Sequence, residues 1–329
     1  MVIDEITLKK VKEIRDIKQF IESIGRYYPG LNLKSYTIEE IERELFHIYI
    51  KLIGRIINVS PRNIRIFLSN YLLKFEILNI KRILLGTVLG MSITEKNSLV
   101  NKLVEDLLGN TAFIKDLIEI SSLDEIQLFM RPTKYNEAIR EGILYFKNTN
   151  EIFVLEAFLD RLYYENLQKE MVFLSKKEKD MISVYVKYIS EIYNLNMIYR
   201  GIRNNIDRKL LSQFLVSNYL FFDEEILTDL MNKSSIESFI TDLNQYLSTK
   251  KEIRLRLLQN PLKRKHLVWE LEKLYINYFF KIFKVKIDDI EYQTIYRIME
   301  VLIKKENEIK IDILPQVVKI LHEKYRVLK

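Results

Sequence analysis

Glu76-Ile77-Leu78-Asn79-Ile80 and Glu191-Ile192-Tyr193-Asn194-Leu195 are the same short phrase, and Glu308-Ile309-Lys310-Ile311 is a weaker third copy. The second stands 115 residues after the first, and the third 117 after the second. A long, nearly constant period marks duplicated structural units. Other phrases repeat with compatible offsets. Leu159-Asp160-Arg161-Leu162-Tyr163 returns after 112 residues as Leu271-Glu272-Lys273-Leu274-Tyr275. Ser121-Ser122-Leu123-Asp124 returns after 113 as Ser234-Ser235-Ile236-Glu237. Ile17, Phe20, Ile21, Ile24 and Tyr27 recur in spacing and type as Ile236, Phe239, Ile240, Leu243 and Tyr246.

The order of these phrases sets the expected architecture. Each unit runs from the L-D-R-L-Y helix through the E-I-x-N helix to the I-x-x-F-I helix. The chain opens on the last of these elements and closes just after the second. Three units are complete only if the N-terminal segment completes the C-terminal one. The expectation is an all-α chain of three similar lobes in a closed, pseudo-three-fold funnel. The lobes are placed at 30–140, 141–255, and 256–329 together with 1–29.

Composition agrees with helix. Only 8 Gly and 5 Pro stand among 329 residues, too few turn formers for a β-rich chain of this length. An apolar share of 48% with 29% charged residues is ordinary for a folded chain. The length exceeds what a single core usually serves. Cysteine is absent, which excludes disulfides, thiolate metal sites and thiol nucleophiles. The N-terminus alternates charge with aliphatics, so no signal peptide is expected. The longest uncharged run, Leu210 to Phe222, falls short of the ~18 to 20 residues a membrane-spanning helix needs. Net charge is +7, and Lys and Glu alternate along what read as solvated helix faces. The densest basic patch, Arg254 to His266, lacks the interleaved aromatics of a single-strand binder.

Helix starts are expected where Ser or Thr precedes Glu by three residues, the capping-box spacing. Thr37/Glu40, Ser92/Glu95, Ser122/Glu125, Ser175/Glu178, Ser234/Glu237 and Thr249/Glu252 all qualify. Pro61 is expected to open a helix, where its missing N–H costs nothing.

Catalytic chemistry has no visible carrier. No phosphate-cradling glycine loop occurs, and His47, His266 and His322 are isolated from one another. No cofactor and no metal are expected. The repeated polar signal is the Glu and Asn of the E-I-x-N helices, three residues apart and hence on one face. Two readings stand. These side chains either tie neighbouring loops by hydrogen bonds or line a shared, wet central space. On the second reading Glu76, Asn79, Glu191, Asn194 and Glu308 face the common axis, with Arg82 and Arg200 one turn further along. The asparagines fit the clasp better and the arginines fit docking.

The run Glu76 to Gly86 resembles the first signature of the C subunit of archaeal A-type and bacterial V/A-type ATP synthases, the counterpart of the eukaryotic V-ATPase d subunit. Leu155 to Tyr164 resembles the opening of that family's second lobe, and Glu191 to Arg200 its second signature. Lys305-Glu306-Asn307-Glu308-Ile309 resembles the third. In the third copy Ile311 replaces Asn, and Asp312 and Pro315 are expected to interrupt the helix. The resemblance implies a funnel of three helical lobes and a non-catalytic rotor part. Its implied partners are the central-stalk subunits and the membrane ring of proteolipid subunits. It also implies a peripheral location on the cytoplasmic face, with no nucleic acid and a monomer when isolated. The runner-up from charge alone is a basic helical-repeat scaffold or nucleic-acid-binding module, which would show a steep salt dependence.

Overall fold

The computed structural model describes residues 2–327, and no strand occurs among them. Helices α1 (Glu5–Val11) and α2 (Ile17–Gly25) precede a long pair, α3 (Ile38–Val59) and α4 (Arg62–Val88). Shorter helices come next: α5 (Ile93–Leu99), α6 (Lys102–Leu108), α7 (Thr111–Glu119), α8 (Leu123–Met130) and α9 (Asn136–Thr149). The second long pair is α10 (Ile152–Glu170) and α11 (Lys176–Arg203). Behind it come α12 (Arg208–Ser212), α13 (Glu224–Met231), α14 (Ile236–Ser248) and α15 (Lys251–Gln259). The third pair is α16 (Leu267–Lys284) and α17 (Ile290–Asn307), and the chain ends in α18 (Leu314–Val327).

The repeated phrases lie on equivalent elements. The E-I-x-N phrases occupy α4 and α11, and the third copy comes directly after α17. Helices α4 and α11 are buried over most of their surface, Tyr71, Leu72 and Leu73 of α4 being consecutive core residues. A helix that buries successive residues packs against neighbours on more than one side, as a central helix does. The I-x-x-F-I phrases form α2 and α14, each burying one stripe: Ile17, Phe20 and Ile24, then Ile236, Phe239 and Leu243. Even their terminal tyrosines match, with Tyr27 donating to Asp4 and Tyr246 to Asp229.

Packing between the long pairs runs in a closed order. Helix α10 packs on α4 and on α9, α16 on α11, and α3 on both α17 and α18. The expected boundary at 141 groups α10 with the helices after it, yet its broadest contact is with α9 and α4 before it. Gly142 permits that approach: a Cβ there would stand 3.1 Å from the Leu155 Cα and 3.2 Å from its carbonyl oxygen. The N-terminal segment meets the C-terminal one. The Gln316 amide donates to the Lys12 and Ile14 carbonyls at 3.0 and 3.1 Å, and Lys12 pairs with Asp312 at 2.6 Å. Residues 1, 328 and 329, assigned by sequence to the third lobe, lie outside the described residues.

Helix caps agree with the spacing rule at four of the six expected sites. Full capping boxes form at Ser92/Glu95 and Ser175/Glu178, while Thr37 and Ser122 accept from the expected amides. Two expectations are corrected. Ser235, paired with Ser238, caps α14 in place of Ser234, and Thr249 closes α14 instead of opening α15. Pro61 is itself the N-cap of α4. Asp312 and Pro315 do not break the third long helix: Glu308–Ile313 widens into a π-helical turn and runs on into α18.

Candidate functional site

Each copy of the repeated glutamate is buried and multiply bonded. Glu76 on α4 accepts from the Tyr135 hydroxyl and the Asn110 side-chain amide, with Lys134 at 3.6 Å. Glu191 on α11 accepts the backbone amides of Leu220, Phe221 and Phe222 at 2.7, 2.9 and 3.1 Å, and the Tyr275 hydroxyl. Glu308 accepts the Ile3 amide and the Tyr28 hydroxyl, both at 2.5 Å, and pairs with Lys305 at 2.7 Å. In all three a carboxylate on the long helix ties down another stretch of chain and takes one tyrosine hydroxyl. Burial pushes the Glu191 carboxyl above its ordinary range, against the pull of its four donors.

The asparagines make a second repeated tie. The Asn79 amide donates to the Asn101 carbonyl at 3.1 Å, and its oxygen accepts the Asn101 amide at 2.9 Å. Asn194 treats Val216 in the same way, at 2.8 and 2.9 Å. Both partners lie 22 residues downstream, so each amide closes the same loop in its own unit. Half-buried Arg82 donates to the Leu99 carbonyl at 3.0 Å, and Arg200 stands 4.1 Å over the Phe153 ring.

The Asn79 amide also donates at 2.7 Å to Glu105, a fully buried carboxyl whose second oxygen has no partner among the described residues. Burial, with the Glu76 charge beside it, pushes Glu105 up to about 8. The shift favours the neutral acid, which eases the crowding of two carboxyls in one pocket.

A different set of residues meets where the long helices converge. Among the described residues they enclose a cavity of about 110 Å³ bordered by Lys74 of α4, Ile189 of α11, Glu272 of α16, Glu306 of α17 and Lys310. Lys74 and Lys310 each reach the Glu306 carboxylate at 2.5 Å, and the Tyr71 hydroxyl donates to it. Tyr49 of α3 joins through Tyr71 at 2.5 Å and the Leu302 carbonyl at 3.0 Å. Tyr71, Tyr185 and Phe279 then bring rings from α4, α11 and α16 together, 6.3 and 6.4 Å between centroids. Burial would raise Glu306, but Lys310 and Lys74 hold it well below the carboxylate range. Burial pushes Lys74 down to about 8 in spite of Glu306. Glu272 borders the same cavity, and burial pushes its carboxyl up against the pull of Lys310 and Lys74.

Residues 4–311 match the profile of the ATP synthase (C/AC39) subunit family. The chain belongs to that family. It is similar to the C subunit of the A-type ATP synthase of Methanocaldococcus jannaschii, 27% identical over 62% of this chain and 50% of the relative. It is also similar to those of Pyrococcus furiosus, 24% identical over 64% and 55%, and Methanococcoides burtonii, 25% identical over 75% and 64%. The matched part thus spans half to two thirds of these relatives.

Within this C/AC39 chain, the seven residues singled out by sequence and the residues around the cavity are separate sets. None of Glu76, Asn79, Arg82, Glu191, Asn194, Arg200 and Glu308 borders the cavity. Its charged junction went unread, although the signal was present. Lys74, Ile189 and Glu306 each stand two residues before a repeated glutamate, at the same offsets of 115 and 117. Two residues is about 200° around a helix, which turns the cavity side away from the clasp side.

Proposed function

We propose that this chain is a non-catalytic rotor subunit of a rotary A-type/V-type ATPase, a socket that couples the central stalk to the membrane ion-translocating ring. The observation that supports this reading is the Glu306 junction. It ties α3, α4 and the α17–α18 segment together through charge-assisted bonds, and a body that transmits torque needs its elements locked where they cross. The proposed lobes, 30–140, 141–255 and 256–329 with 1–29, surround a common axis; the closed order of helix packing supports the ring, though α10 packs most broadly on α9 and α4 across the first boundary. No helix among the described residues is long and apolar enough to cross a membrane, so attachment falls to partners and surface contacts. The proposed partners are the central-stalk subunits and the proteolipid ring, at the cytoplasmic face. The relatives described above are named as C subunits of A-type ATP synthases, and that assignment guides the choice of complex.

Of the seven residues chosen by sequence, Arg82 and Arg200 keep the partial exposure that docking requires, while the other five are buried. The docking contribution is assigned to these two arginines. Reversing both, Arg82→Glu with Arg200→Glu, should weaken binding of purified stalk subunits about tenfold. The melting temperature should fall only slightly. A large drop in melting temperature with unchanged stalk affinity would make both arginines structural ties alone.

A further inference from the structure

The turns that join the three long pairs lie together at one end of the molecule. Asn63 at the start of α4 donates to Glu178 at the start of α11 at 3.3 Å. Lys177 of α11 reaches Asp289 beside the third turn at 2.6 Å, and Lys286 reaches Asp180 at 2.6 Å. Every one of these turns holds apolar side chains in water. Val59 is 85% exposed, Val172 71%, Phe173 55%, Val285 79% and Ile290 76%.

Their charged neighbours are mostly basic. Glu178, Asp180, Asp289 and Glu291 are engaged by Asn63, Lys286 and Lys177, leaving Glu170 and Asp288 as the acids without such a partner among the described residues. Exposed Arg62, Arg65, Lys176, Lys179 and Lys284 make no ion pair among the described residues. Apolar tips set among unspent cations have the composition of a surface that enters a lipid interface and meets phosphate. A second apolar and basic patch exists on α15, where Leu255 and Leu258 are 75% and 65% exposed. It belongs to one unit only. The tip feature is repeated in all three, and a body standing upright on a flat surface needs three contacts at one level.

We propose that this end seats directly on an anionic bilayer surface, its five apolar side chains entering the interface and its cations facing lipid phosphates. The orientation rests on the rotor reading above, whereas lipid contact itself is a separate property. The test is co-sedimentation of the full chain with phosphatidylcholine vesicles, with and without phosphatidylglycerol. Wild type should bind the anionic vesicles, and added salt should weaken that binding. Val172→Asp with Phe173→Asp and Val285→Asp should lower it about tenfold at unchanged melting temperature. Leu255→Asp with Leu258→Asp should leave it unchanged. The proposal is overturned if the tip variant binds as wild type does, or if wild type binds only vesicles that carry the proteolipid ring. Stalk affinity measured on the same proteins keeps the two ideas apart: loss there counts against the socket and not against lipid contact.

Discussion

Replacing Glu306 by Gln should destabilise the isolated chain by about 3 kcal/mol, the cost of removing one partner from a buried charge cluster. The amide keeps the shape but leaves Lys74, 19% exposed, without its carboxylate, and turns one of two acceptor oxygens into a donor, so either Lys310 or the Lys74 and Tyr71 pair loses its acceptor. Adding Lys74→Met to Glu306→Gln should recover part of the loss, because the second change removes the orphaned charge. The pH dependence has a definite sign. Glu306 sits below its ordinary 4.5, so its stabilisation is present above about 4.5 and is lost as pH falls through the folded value. Urea unfolding of both proteins should therefore show a gap at neutral pH that closes in acid. A gap of the same size at every pH would mean the carboxylate charge is not what holds the junction.

Glu191→Ala should be at least as damaging, costing about 3 to 4 kcal/mol. Its carboxylate serves the amides of Leu220, Phe221 and Phe222 and the Tyr275 hydroxyl, and truncation strands all four donors in a buried region. Tyr275→Phe removes one donor together with its demand for an acceptor and should cost only about 1 kcal/mol. Hydrogen exchange localises the effect: protection at 220–222 should collapse in Glu191→Ala and persist in Tyr275→Phe. Intact protection in Glu191→Ala would show that those amides are held by something else.

These expectations rest on unequal contributions from sequence and structure. The helical class came from composition, and equivalent elements came from phrases such as Ile17 to Tyr27 against Ile236 to Tyr246. Periodicity could not choose the face of the E-I-x-N helix that turns to the centre. Helix α4 carries apolar residues beside both Lys74 and Glu76, for Tyr71, Leu72, Leu73, Phe75 and Ile77 are all buried, so the pattern does not distinguish the two faces. The choice is made by long-range partners: Tyr135 and Asn110 draw Glu76 to one side, and Glu306, 232 residues away, draws Lys74 to the other. Local rules failed in the same manner at caps. Thr249/Glu252 has the spacing of a box, yet α14 runs through Ser248 and uses Thr249 as its end. Ile311 in place of Asn removes the loop tie of the third copy. The chain there widens into a π-helical turn whose Lys310 reaches back to Glu306.

The most direct test of the socket is a bridging assay. Membranes carrying the proteolipid ring, stripped of peripheral subunits, are mixed with purified central-stalk subunits, with and without this chain. The account predicts that the stalk sediments with the membranes only when the chain is added, and at a stoichiometry of one chain per stalk. Stalk bound equally well without it, or a chain that holds the ring but leaves the stalk in solution, would contradict the account.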